Sequence, residues 1–251
     1  MAARSFMGAG DIYINRMVDG VKQGLIGPIY ANKLEIKPNV ETKQSTSKGR
    51  YDYGQVLESV NLAQPTDFTL ELKEVTGDIL VMAFLGTSDA LNEAAGTLVD
   101  APVTVKKGTW VPIGKRNLAE LISVENVGGT TTYVEGTDYR LNRPLGWIMA
   151  LPDGTMVDAT PVHVSGAYSA ATGAVISGST RTEVRAEIVF DGINQADSTQ
   201  VTATIYEAVL SADSAFDFLA DDFGNVSLTG TLKTPLGQDA PYKVVVQDPV
   251  I

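Results

Sequence analysis

Apolar and polar residues alternate along much of this chain, and the alternation has a period of two. In Asp67–Glu74, Phe68, Leu70 and Leu72 fall on one side, and Thr69, Glu71 and Lys73 on the other. In Val184–Phe190, Val184, Ala186, Ile188 and Phe190 oppose Glu183, Arg185 and Glu187. Val201–Val209 sets Val201, Ala203 and Ile205 against Thr202 and Thr204, and Val226–Leu232 sets Val226, Leu228 and Leu232 against Ser227, Thr229 and Thr231. Successive side chains of a strand point to opposite faces, so each stretch predicts a strand with one buried and one wet face. Ile12–Met17 predicts another, turned back by the hairpin pair Asp19-Gly20.

Helix signals are few. Asp78 is placed to cap a short helix through Leu85, stopped by Gly86. A second turn or two is predicted between Ser88 and Gly96, and a third helix over Ser214–Leu219 with Phe216 and Leu219 facing inward. Segments this short are held by packing on a sheet rather than by their own propensity.

The middle of the chain has its own strand set. Thr104–Thr130 reads as strand, turn and strand, broken at Lys106-Lys107-Gly108 and Val127-Gly128-Gly129. Strands at Tyr139–Asn142, Trp147–Leu151 and Val162–Tyr168 follow, with a tight turn at Pro152-Asp153-Gly154. The fold predicted is mainly β, with one or two short helices. Residues 1–103 and 180–251 form one domain, and residues 104–179 form a small β-sandwich inserted into it. Charge follows the same division. Residues 104–179 carry six Lys and Arg against six Asp and Glu, while residues 1–103 carry nine against thirteen and residues 180–251 four against eleven. The net charge of −11 therefore sits on the two flanking segments.

That acidity removes non-specific phosphate-backbone binding, which needs lysine and arginine to release counterions. The chain has 251 residues, enough to bury a sizeable core, and no cysteine, so disulfides and thiol chemistry are excluded. Met1–Gly10 lacks a signal-peptide apolar core, and the longest apolar run, Ile79–Leu85, is too short to span a bilayer. A soluble protein without a membrane anchor is expected.

Catalytic signals are missing. The one histidine, His163, lies in an alternating strand, and no Gly-x-Ser-x-Gly elbow exists for it to serve. Gly8-Ala9-Gly10 has Tyr13 where a dinucleotide loop needs its third glycine, and no strand precedes it. In Asp217–Asn225 the positions before Gly224 do not alternate as a calcium loop requires. Carboxylates are plentiful enough for a glycosidase-like pair, but no motif surrounds one. Neither an enzyme, a metal nor a cofactor is expected.

The order of segments resembles a known family. The stretch Lys33-Leu-Glu-Ile-Lys-Pro-Asn-Val-Glu-Thr-Lys-Gln-Ser-Thr-Ser-Lys-Gly-Arg-Tyr-Asp-Tyr-Gly-Gln-Val-Leu is a strand running into a polar arm. The Phe68–Lys73 strand and the apolar Ile79–Gly86 follow. This is similar to the major tail tube protein of long-tailed, siphovirus-type bacteriophages. Arg185–Asn194, Gln200–Val209 and Asp221–Leu232 look like the rest of such a tube domain. Tyr133–Tyr139, Gly146-Trp-Ile and Val162–Tyr168 resemble the immunoglobulin-like β-modules of phage virion proteins. The resemblance covers most of the chain without one diagnostic motif, and the inserted module departs from many relatives. It implies a tail-tube β-sandwich or barrel, and hexameric rings stacked into the virion tail. It further implies DNA passing through the lumen without specific binding. The partners implied are further copies of the chain, a tape-measure protein, and tail terminator and tail-tip proteins.

Two sets of residues carry that expectation. The arm Asn39–Gln55 is too polar for core and longer than the usual connection of about 4–6 residues. Val40, Tyr51 and Tyr53 are its apolar anchors and Lys43, Lys48 and Arg50 its charges, and it is expected to be a disordered surface loop that orders between subunits. Glu71, Glu183, Glu187 and Glu207 sit on predicted strands as candidates for an acidic lumen that repels DNA. The alternatives are another β-rich virion, tail-tip or fibre subunit, a β-sandwich carbohydrate hydrolase, and a carbohydrate-binding β-sandwich. A sugar-binding module needs an aromatic platform, and in sequence Trp110 and Trp147 stand isolated.

Overall fold

A computed structural model of the chain describes residues 5–213, 215–221 and 224–247. The elements are β1 (Gly8–Val18), β2 (Val21–Ile29), β3 (Ala31–Thr46), β4 (Val56–Leu72), α1 (Gly77–Ala83) and β5 (Thr87–Glu93). Then come β6 (Gly96–Thr104), β7 (Trp110–Pro112), β8 (Leu118–Asn126), β9 (Tyr139–Asn142), β10 (Trp147–Ala150), β11 (Pro161–Tyr168) and β12 (Ala171–Ser177). The chain closes with β13 (Val184–Asn194), β14 (Thr199–Ala212), β15 (Val226–Leu232) and β16 (Tyr242–Gln247). The protein is mainly β. No described helix is long and apolar enough to cross a membrane.

Two compact units form, one from residues 1–88 and 176–251, the other from residues 89–175. The sequence places the first boundary at residue 104. The strand β6 lies before it, yet pairs along its length with β11 and so belongs to the second unit. The chain passes between units within β5 and β12, which pair with each other. That pairing also replaces the turn of helix predicted between Ser88 and Gly96, because a ladder with a distant segment outweighs local capping signals.

The first unit is one antiparallel sheet in the order β2-β1-β13-β14-β15-β4-β3. Asp19 and Gly20 both have positive φ, 51° and 82°, which gives the β1–β2 hairpin the primed turn that matches strand twist. Strand β14 is shared. Its Ala208–Ala212 half pairs with β15 and its Gln200–Ile205 half with β16. The division falls at a bulge, where Tyr206 and Glu207 together oppose Glu187 of β13. The apolar face carries Ile12, Ile14, Phe68, Leu70, Leu72, Ile188, Ile205 and Leu210, all buried. Helix α1 closes it with Ile79 and Met82. Its cap is Thr76, whose hydroxyl accepts from the Ile79 N–H, and Asp78 sits in the first turn instead. Of the third predicted helix, Ser214 lies outside the described residues, and 215–219 form no helix. Phe216 and Phe218 instead close a three-ring cluster with Phe84, and Leu219 is exposed.

The second unit is a small sandwich. The sheets β7-β10-β9 and β6-β11-β8 face each other across Val103, Val124, Tyr139, Ile148, Met156, Val162 and Val164. Asp138 is buried at one end of it. One carboxylate oxygen accepts from the N–H and hydroxyl of Thr155, at 2.9 and 2.8 Å, and the other from the Val134 N–H at 2.9 Å. These bonds, the Thr155 N–H first, hold its pKa below the usual carboxylate range. A depressed folded pKa gives stability that is present above the unfolded value of about 3.9 and is lost as pH falls through the folded value. Asp138→Ala leaves two backbone N–H groups without acceptors and is expected to cost about 2–4 kcal/mol. The difference from the parent should shrink in urea melts below pH 4, and a constant difference would refute this origin.

Candidate assembly surfaces

The arm is a hairpin rather than a loop, paired within its own chain. Strands β3 and β4 continue beyond the sheet as a two-stranded ribbon, paired from Asn39↔Gln64 through Ser45↔Glu58 and ending at Thr46↔Val56. Its polar residues satisfy one another across the strands. Asn39 donates to Pro65 O and the Asp67 carboxylate, Thr42 to Asn61 Oδ1, and Gln64 to the Glu41 carboxylate. At the tip the Ser47 N–H donates to Gln55 O and the Gly54 N–H to Ser47 O. Polarity excluded this segment from a core, but cross-strand pairing gives it an ordered alternative to disorder.

Val40, Tyr51 and Tyr53 are all exposed on this hairpin, Tyr51 at 93%. Lys43 lies 3.9 Å from Glu41, and Lys48 and Arg50 lie at the tip. The sequence reading missed the second half of the surface. Val56, Leu57, Val60 and Leu62 on β4 are also exposed, which gives seven apolar side chains to one hairpin. The detectable signal was the run of four apolar residues within Val56–Leu62, which has no reason to form a strand without the partner 39–46. Val60 and Leu62 share one face of the ribbon and Val40 lies on the other, and exposed apolar groups in this number make the hairpin a candidate interaction surface.

The second surface is the wet face of the large sheet. Glu71, Glu183 and Glu187 lie on it partly exposed, whereas Glu207 is buried on the same side, and all but Glu71 are members of mixed-charge groups. Glu187 binds Lys22 at 2.8 Å and accepts from Asn15. Arg185 bridges Glu183 and Glu207 at 2.7 and 3.3 Å, and Lys233 reaches Glu207 at 3.5 Å. The hydrogen bond to Glu183, then its charge, raises the Arg185 pKa. Glu71 accepts from Asn32 and Asn225. The face is therefore polar and largely charge-paired, and the bare acidic lining expected from the glutamates alone is reduced by Lys22, Arg185 and Lys233.

Within the large sheet, three strands have only one partner among the described residues: β2, β3 and β16. Strand β16 exposes Val244, Val245 and Val246. An unpaired apolar edge is a template for pairing with another chain. Among the described residues, no group of three or more His, Cys, Asp or Glu side chains is arranged to hold a metal ion. His163 is half-buried on β11, opposite Pro102 and Glu125.

An antiparallel sheet with a long β3–β4 hairpin and a small β-sandwich make this a mainly-β protein. A family model described as a protein of unknown function, UCP028589, matches residues 5–235, and the chain belongs to that family. No curated protein matches the chain.

Proposed function

We propose that the chain is a structural subunit that assembles with copies of itself into stacked rings, hexameric by resemblance, forming a phage tail tube. The observation that carries this reading is the β3–β4 hairpin, which projects seven exposed apolar side chains from a sheet that buries none of them. The unpaired edges of β2, β3 and β16 add backbone groups that a ring of sheets would satisfy. The charge-paired wet face suits a water-filled lumen through which DNA passes without specific binding. In this reading the subunit works in the virion tail, performs no catalysis and needs no cofactor. Its other partners are a tape-measure protein within and terminator and tip proteins at the ends.

Negative-stain microscopy and sedimentation of the purified chain across a concentration series test the reading. Rings or tubes that grow with concentration are expected. A monomer at every concentration, with no ordered particles, would overturn it.

A further inference from the structure

We infer that the outer face of the β7-β10-β9 sheet is a binding site for a saccharide that carries carboxylate groups. The chain contains two tryptophans, Trp110 and Trp147, and folding brings both onto this face. Cross-strand rows place Pro112, Trp147 and Asn142 side by side, and next to them Trp110, Met149 and Arg140. The opposite face, with Ile148, Ala150 and Tyr139, is core, so these six residues point outward. Trp110 and Trp147 are 42% and 38% exposed. They are diagonal neighbours on paired strands, a separation of about 7–8 Å that large aromatic side chains span. The isolation seen in sequence is therefore removed by the β7–β10 pairing.

The polar groups around the rings decide what fits. Arg140 and the Asn142 side-chain NH2 have no hydrogen-bond or ion-pair partner among the described residues, and neither have the two indole N–H groups. The Asn142 oxygen is already engaged by the Leu145 N–H at 3.2 Å. Arg143, the residue after β9, is committed to Glu135 at 2.7 Å. Every available polar group on the face is thus a donor, and none of its six residues is a carboxylate. A ligand that presents flat C–H surfaces to indole rings and acceptors, some anionic, to the donors is an acidic sugar.

Size favours a saccharide over a protein. Three strands of 3–4 residues cover on the order of 150 Å² at ordinary strand spacing, whereas a stable protein interface needs about 800 Å² from each partner. The inference does not rest on the assembly reading, because it concerns the second unit alone.

Intrinsic fluorescence of the full chain reads this face directly, since both tryptophans lie on it. Titration with an oligogalacturonate should give a saturable change in emission, and neutral cellohexaose should give a weaker one. Arg140→Gln keeps both rings and the fold, checked by circular dichroism, and should weaken oligogalacturonate binding about tenfold, the size of a charge-assisted hydrogen bond. Trp110→Phe should weaken both sugars and leave Trp147 as the reporter. A polyglutamate peptide should give no saturable change. An equal response to that peptide, or Arg140→Gln binding as tightly as the parent, would overturn the proposal. So would a silent titration with both sugars. In that case, an emission shift that depends only on protein concentration would assign the face to contacts between copies.

Discussion

A chain in which residues 42–61 are replaced by Asn-Gly is expected to stay folded and to lose assembly. The cut is symmetric across the ribbon. It leaves Glu41↔Leu62 as the last pair, so the ladder toward the sheet keeps its register. Asn-Gly supplies the positive φ values that a two-residue hairpin turn needs. None of the buried core residues of the first unit lies between 42 and 61, so circular dichroism and the melting transition should change little. Five exposed apolar side chains leave with the segment: Tyr51, Tyr53, Val56, Leu57 and Val60. Burial of each is worth about 1.5–3 kcal/mol. Even if ordering and partial exposure remove half of that, the contact weakens by roughly 4 kcal/mol, about a thousandfold. Rings and tubes should be absent at concentrations where the intact chain forms them. Tubes of ordinary length from the shortened chain would remove the hairpin from the interface.

The largest effect on folding is expected at Gly146, in the β9–β10 turn of the second unit. Its φ is +67°, and a Cβ there would lie 1.5 Å from the backbone oxygen of Lys115. Its own N–H donates to Asn142 O, and its carbonyl accepts from the Ile113 N–H, so the turn is tied on both sides. Gly146→Ala therefore adds a backbone clash to the cost of a left-handed conformation. A loss of at least about 3 kcal/mol is expected, the range of strained or overpacked positions. Gly136→Ala is the matched control. Its φ is +84°, but nothing lies within 4 Å of the added atom, so only the conformational cost of about 1–2 kcal/mol applies. Both tryptophans are in the second unit, so urea unfolding followed by their emission reports that unit alone. Equal destabilisation by the two substitutions would show that the Lys115 contact relaxes freely.

Legibility followed periodicity. Strand β15 spans Val226–Leu232 as the alternation predicts, and the inward faces of β13, β14 and the end of β4 carry the residues the pattern selects. Alternation reports a half-buried strand because water enforces it residue by residue. Where both faces are wet, water enforces nothing. Residues 39–62 therefore gave no alternating strand signal, although they form the outer part of the β3–β4 ladder, the longest among the described residues. The four glutamates were legible as outward-facing, but Lys22 and Lys233 lie 165 and 26 positions from the glutamates they bind, Glu187 and Glu207.

The amino-acid sequence alone determined that this protein is mainly β, which residues of β13, β15 and the end of β4 face its core, where the β1–β2 hairpin turns, and that thiol chemistry is absent. Those properties are local, set by side-chain period, turn geometry and composition. Only the tertiary structure decided that β6 belongs to the second unit, that the polar arm is a ribbon, and that Trp110 and Trp147 share a face. Each depends on which strands become neighbours, and strand neighbours are chosen by the register of segments far apart in the chain.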